Sequence, residues 1–131
     1  MPKILERPKT RLGTAGLRAF FKVCDQWNLH NDQQIRLLGV PDTTFYAWKK
    51  KLDQSEFSIS KDTLERISYI LGIYKNLHTL FTDAEAADSW VQRPNAASIF
   101  NEKSAIDRMT EGNVADLYVV RKYLDEQVKG W

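Results

Sequence analysis

Cysteine is nearly absent from this 131-residue sequence. Cys24 stands alone, so no internal disulfide can form, and with His30 and His78 as the two histidines a standard zinc tetrad cannot be completed. Neither a structural metal nor a cofactor is expected. Long apolar runs are missing as well: nothing approaches the ~18 residues of a membrane span. The start of the chain, Met1 to Glu6, lacks the apolar core of a secretory signal, so a cytoplasmic protein is expected. Strand-like alternation is equally scarce, its best candidate being Phe57 to Ser60, which leaves an all-α class. Disorder is excluded by a hydrophobic fraction of 43% against 27% charged residues.

Net charge is only +2, but it divides unevenly. Residues 1 to 60 hold 10 Lys and Arg against 6 Asp and Glu, whereas 61 to 131 hold 9 against 11. A basic first half is what contact with phosphates requires, although solvated surfaces also show shifts of this size. Residues 1–12, with two prolines and no periodicity, read as a flexible arm. From Thr14 to Trp27 the residues Leu17, Phe20, Phe21, Cys24 and Trp27 fall on one helical face, which makes Cys24 a small core hydrophobe rather than a reactive thiol.

Between Asn31 and Lys51 the pattern is that of a helix-turn-helix. Asn31 or Asp32 can cap a short helix ending at Leu38, Gly39 supplies the turn, Val40 and Pro41 make the corner, and Asp42 can cap a second helix. Ile35, Leu38, Val40, Phe45 and Trp48 then face inward, the packing such a motif requires. Thr43, Thr44, Tyr46, Ala47 and Lys50 remain outside as candidates for reading bases. Lys49, Lys50 and Lys51, with Arg36 and Lys22 as outliers, would contact phosphates. The same pattern also fits a plain helical hairpin with a solvated lysine face.

Further along, Asp62 with Glu65 suggests a helix start, Gly72 an interruption, and Thr82 with Glu85 another start for a helix over Asp83 to Val91. An irregular stretch runs through Asn95 to Lys103. Ser104 with Asp107 opens a short helix, and Asn113 caps a last one, whose Leu117, Val120, Leu124 and Val128 form an inward stripe. The expected division is an arm over 1–12, a helix-turn-helix region over 13–60 and a second helical domain over 61–131.

The run from Leu71 through Gly72, Tyr74, Asn76, Leu77, His78 and Phe81, followed by Ala87, Trp90, Val91, Pro94, Asn95 and Phe100, resembles the toxin-binding domain of the Xre/MbcA/ParS antitoxins. Asp107, Met109, Gly112, Leu117, Val120, Tyr123, Leu124, Gly130 and Trp131 extend the similarity. One departure is the stretch from Asn101 to Ala105, where the family commonly has a glycine-containing turn and then Ser-Pro. Ser104 keeps the cap, and the missing proline at Ala105 makes the turn less rigid. The resemblance implies an antitoxin that blocks a cognate toxin, often an RES-domain enzyme that destroys NAD, and represses its own operon, as a homodimer or larger assembly. Tyr118, Arg121, Lys122, Tyr123, Asp125 and Trp131 are the candidates for toxin contact, Trp and Arg being frequent interface anchors. Trp90 and Phe100 read as core.

Two other functions fit the sequence less well. Catalysis needs convergent titratable groups, and His78 among Tyr74, Lys75 and Phe81 is a poor site, so no enzyme is expected. A freestanding transcriptional regulator would use the same helix-turn-helix and keep the second half for dimerisation or ligand sensing.

Overall fold

The computed structural model describes the backbone of residues 2–130 and the side chains of residues 10–130. Its helices are α1 (Pro2–Gln26), α2 (Asn31–Leu38), α3 (Asp42–Lys50), α4 (Lys61–Leu80), α5 (Ala84–Ser89), α6 (Ala105–Met109) and α7 (Val114–Lys129). Short 3-10 turns occupy Trp90–Gln92 and Ser98–Phe100. The class is all-α: among the described residues the only β pairing is an isolated bridge between Pro94 and Ser104.

The apolar stripe of α1 is buried as its periodicity requires, with Leu17, Phe20 and Cys24 fully enclosed. Burial of Cys24 pushes its thiol pKa up, which keeps the sulfur protonated. The helix also begins earlier than expected. From Pro2 onward the anticipated arm is helical, because proline at a first helical position is already set at the required φ and Lys, Ile, Leu, Glu and Arg accept helix readily. Pro8, in the interior of the same helix, lacks the amide for an intrahelical bond and opposes that propensity.

Helix α4 is the central element. Ile67, Ile70, Ile73 and Leu77 are buried along it, with α1 and α2 packed near its start and α5 and α7 against its later turns. It runs unbroken through Gly72, where an interruption was expected. The connection before it is fastened to α1: Thr14 Oγ1 accepts from the Phe57 amide at 2.8 Å, and Arg18 Nε donates to the Leu52 carbonyl at 3.1 Å.

Several helices start one or two residues from their expected caps. His30 precedes α2, its amide bonded to Gln33 Oε1 at 2.8 Å. Pro41 precedes α3, Ser60 caps α4 by accepting from the Thr63 amide, and Asp83 caps α5 by accepting from the Ala86 amide. Ser104 and Asp107 form the expected reciprocal box at α6, with bonds of 3.1 and 3.4 Å. The stretch expected to be irregular carries structure of its own. Asn101 and Glu102 are both left-handed, the Asn95 amide bonds the Lys103 carbonyl at 3.0 Å, and Phe100 plugs the core between Trp90 and Tyr123.

Candidate functional site

Two surfaces contain the candidate residues. The first is α3. Gly39, at φ +66°, makes the left-handed turn that ends α2, and its amide bonds the Ile35 carbonyl at 2.9 Å. Leu38 and Phe45 are fully buried, while Ile35, Val40 and Trp48 pack against the core half-buried. That inward set leaves Thr43, Tyr46, Ala47, Lys50 and Lys51 exposed together, with Thr44 half-buried beside them. The lysines lie in the last turn, where cations complement the helix dipole.

Two basic candidates have other attachments. Lys49 Nζ donates to Asn31 Oδ1 at 3.1 Å and lies 5.4 and 5.7 Å from the ring centroids of Phe45 and Phe21, so it ties α3 to α1 and α2. Arg36 Nη1 reaches the Thr110 carbonyl at 3.5 Å, toward the turn that precedes α7 rather than along α3. Lys22 is exposed on α1.

The second surface is α7. Tyr118 and Lys122 are exposed, and Tyr118 meets the Tyr69 ring edge-on at 5.8 Å. Arg121 lies flat across α4: Nε donates to Asp125 Oδ1 at 3.1 Å, and Nη1 approaches the Ser68 carbonyl at 3.5 Å. A methyl group at Gly72 would overlap the Arg121 guanidinium, so glycine serves here for the close approach of α7. The obstructing atoms are the tip of a flexible side chain, and alanine is the better helix former by about 0.5–1 kcal/mol. Gly72→Ala should therefore change stability by no more than about 1 kcal/mol in urea unfolding while freeing Arg121. A loss several times larger would show that Arg121 is locked in place.

Asp125 also accepts from Asn76 Nδ2 at 2.7 Å. Partial burial alone would raise its pKa, but the bonds from Asn76 and Arg121, with the Arg121 and Lys129 charges, hold it below the usual carboxylate value. Tyr123 is half-buried with its ring edge-on to Phe100 at 5.4 Å. Trp131 lies outside the described residues.

Beside Tyr123 the structure adds a groove of about 550 Å³, lined by Leu80, Phe81, Trp90, Tyr123, Leu124 and Gln127. Trp90, expected in the core, packs against it half-buried at the groove's edge. Periodicity could not reveal this groove, because Leu80, Phe81 and Trp90 stand at helix ends where periodicity stops. The available signal was a set of large apolar side chains at consecutive helix termini. His78 is held by Asp88 at 2.7 Å and stacks on Tyr74 at 4.3 Å, which makes it a staple between α4 and α5.

These surfaces coincide with two known domains. Residues 7–72 match the profile of the "Antitoxin Xre-like helix-turn-helix domain", and residues 76–127 match the "Antitoxin Xre/MbcA/ParS C-terminal toxin-binding domain". A protein of Sinorhizobium fredii (strain NBRC 101917 / NGR234), "Uncharacterized protein y4oB", is 48% identical over 117 residues, covering 88% of this chain and 86% of that protein. No solved structure matches the chain. With a helix-turn-helix presented by α2 and α3 and a toxin-binding unit built around α7, both matched in that order, the chain belongs to the Xre/MbcA/ParS antitoxins.

Proposed function

We propose that this antitoxin neutralises an RES-domain, NAD-degrading toxin in the cytoplasm by covering its active site, and that it represses its own operon through α3. The observation that carries the first half is the exposed face of α7, where Tyr118 and Lys122 are open to solvent beside Arg121. Aromatic and arginine side chains presented by a rigid helix make strong interface anchors, and the groove beside Tyr123 offers a recess for a toxin side chain. Co-expression with the adjoining gene tests this reading: growth should be rescued from that gene's product, and Tyr118→Ala with Lys122→Glu should reduce the rescue. Failure of the unaltered chain to rescue growth would sink it.

Autorepression is supported by the exposed set from Thr43 to Lys51 and by the basic first half of the chain. A palindromic operator presents two half-sites, which a homodimer or a larger toxin-antitoxin assembly would fill. Lys50→Glu with Thr43→Ala should weaken binding to the promoter fragment upstream of the gene by at least about tenfold, since one base contact contributes about 1–3 kcal/mol. The slope of log affinity against log salt should become shallower by about 1 for the lost lysine. A gel-shift titration in which both affinity and slope are unchanged would remove this face from consideration.

A further inference from the structure

We propose that Arg66 is a positioning residue for operator recognition: it sets the orientation of α2 and α3 against the toxin-binding unit without touching DNA. Arg66 is a buried arginine on α4. Its Nε pairs with Asp62 at 2.9 Å, Nη1 donates to the Arg36 carbonyl at 3.3 Å, and Nη2 donates to the Gly112 carbonyl at 3.1 Å. Two of those acceptors belong to different functional units. Arg36 lies in the last turn of α2, and Gly112 lies in the turn that leads into α7.

The carbonyls at a helix C-terminus lack intrahelical partners and carry the negative end of the dipole. At α2 they are taken up from α4, Arg66 bonding the Arg36 carbonyl and Thr63 Oγ1 bonding that of Leu38 at 3.2 Å. The turn residue is fitted to this arrangement. A methyl group at Gly39 would come within 2.6 Å of the Arg66 guanidinium carbon, so the glycine that permits the left-handed turn also makes room for the arginine. Arg36 answers from the other side by reaching Thr110, and a planar fork with several fixed donors can hold both units at once where an ammonium cannot.

The inference rests on the operator-binding reading, and Arg66→Lys tests it. Lysine keeps the charge and can still reach Asp62 but cannot span both carbonyls. Spin labels at Asp42→Cys and Ala115→Cys, both exposed, report the α3 to α7 distance, and buried Cys24 stays unlabelled. The lysine variant should unfold cooperatively, broaden a narrow distance distribution, and bind the promoter fragment roughly tenfold more weakly with an unchanged salt slope. An unchanged distance distribution overturns the proposal, and so does an affinity loss accompanied by a shallower salt slope, which would mark Arg66 as a direct phosphate contact. If Arg66→Lys does not fold, Asp62→Ala carries the same comparison by removing the exposed carboxylate that orients the guanidinium. Failure of the unaltered protein to bind the fragment would count against operator binding, whereas the distance measurement judges Arg66 independently.

Discussion

Phe45→Ala should lower folding stability by about 3–5 kcal/mol and abolish binding to the promoter fragment. Among the described residues of α3, Phe45 is the buried one, fully enclosed and in contact with the ring of Phe21 at 5.7 Å. Trp48 and Lys49 add partial attachments, through the Phe57 ring at 6.1 Å and through Asn31, but neither fills the space that Phe45 occupies. Truncation therefore leaves a cavity under the helix that carries the exposed candidates Thr43, Tyr46, Ala47 and Lys50. For a domain stabilised by about 5–15 kcal/mol in total, that loss is a large share. Phe45→Leu, which keeps most of the volume, should retain cooperative unfolding and measurable DNA affinity. Urea denaturation of both variants checks the ordering. A loss below about 1.5 kcal/mol for alanine, the level of a tolerated hydrophobic swap, would mean that α3 is anchored elsewhere.

The same residue shows why the exposed face of α3 was readable in the sequence. Leu38, Gly39, Phe45 and Trp48 are close neighbours along the chain, and their spacing by itself selects which side chains turn inward. Helix starts were less legible because candidate caps lie side by side. Near α4, Ser60 and Asp62 both have suitable side chains, and the choice depends on which backbone is extended, as Ser60 is at φ −63° and ψ 156°. Gly72 was misread for a different reason. Its local meaning, a weak helix former, is overridden by a contact with Arg121 that lies far along the chain. Arg36 and Lys49 follow the same rule: each resembles a free surface cation in sequence, yet their partners stand 74 and 18 residues away, and Arg121, paired with nearby Asp125, also reaches a carbonyl 53 residues away. The groove beside Tyr123 required α4, α7 and the turn at Trp90 to be placed together, and no local pattern specifies that meeting.

Arg108→Ala should cost about 3 kcal/mol, at the lower end of the range for breaking a buried ion pair, and should weaken toxin capture more than DNA binding. Asp116, in the first turn of α7, is buried, and its Oδ1 accepts from Arg108 Nε at 3.3 Å. Its Oδ2 is also buried and has no hydrogen-bond partner among the described residues, so removal of Arg108 takes away the one bond given to this carboxylate. The arginine also reaches back along the chain, with Nη1 donating to the Ile99 carbonyl at 2.6 Å. That bond fixes the 3-10 turn carrying Phe100, which in turn supports Trp90 and Tyr123 at the groove. Removing Asp116 as well should recover much of the stability, because the stranded charge disappears, but it should not recover toxin capture, since the Ile99 bond remains lost. A double-mutant cycle at this pair, read by urea unfolding and by rescue of growth in parallel, separates the two contributions. Equal recovery of stability and rescue in the double variant would show that Arg108 acts on the groove only through Asp116.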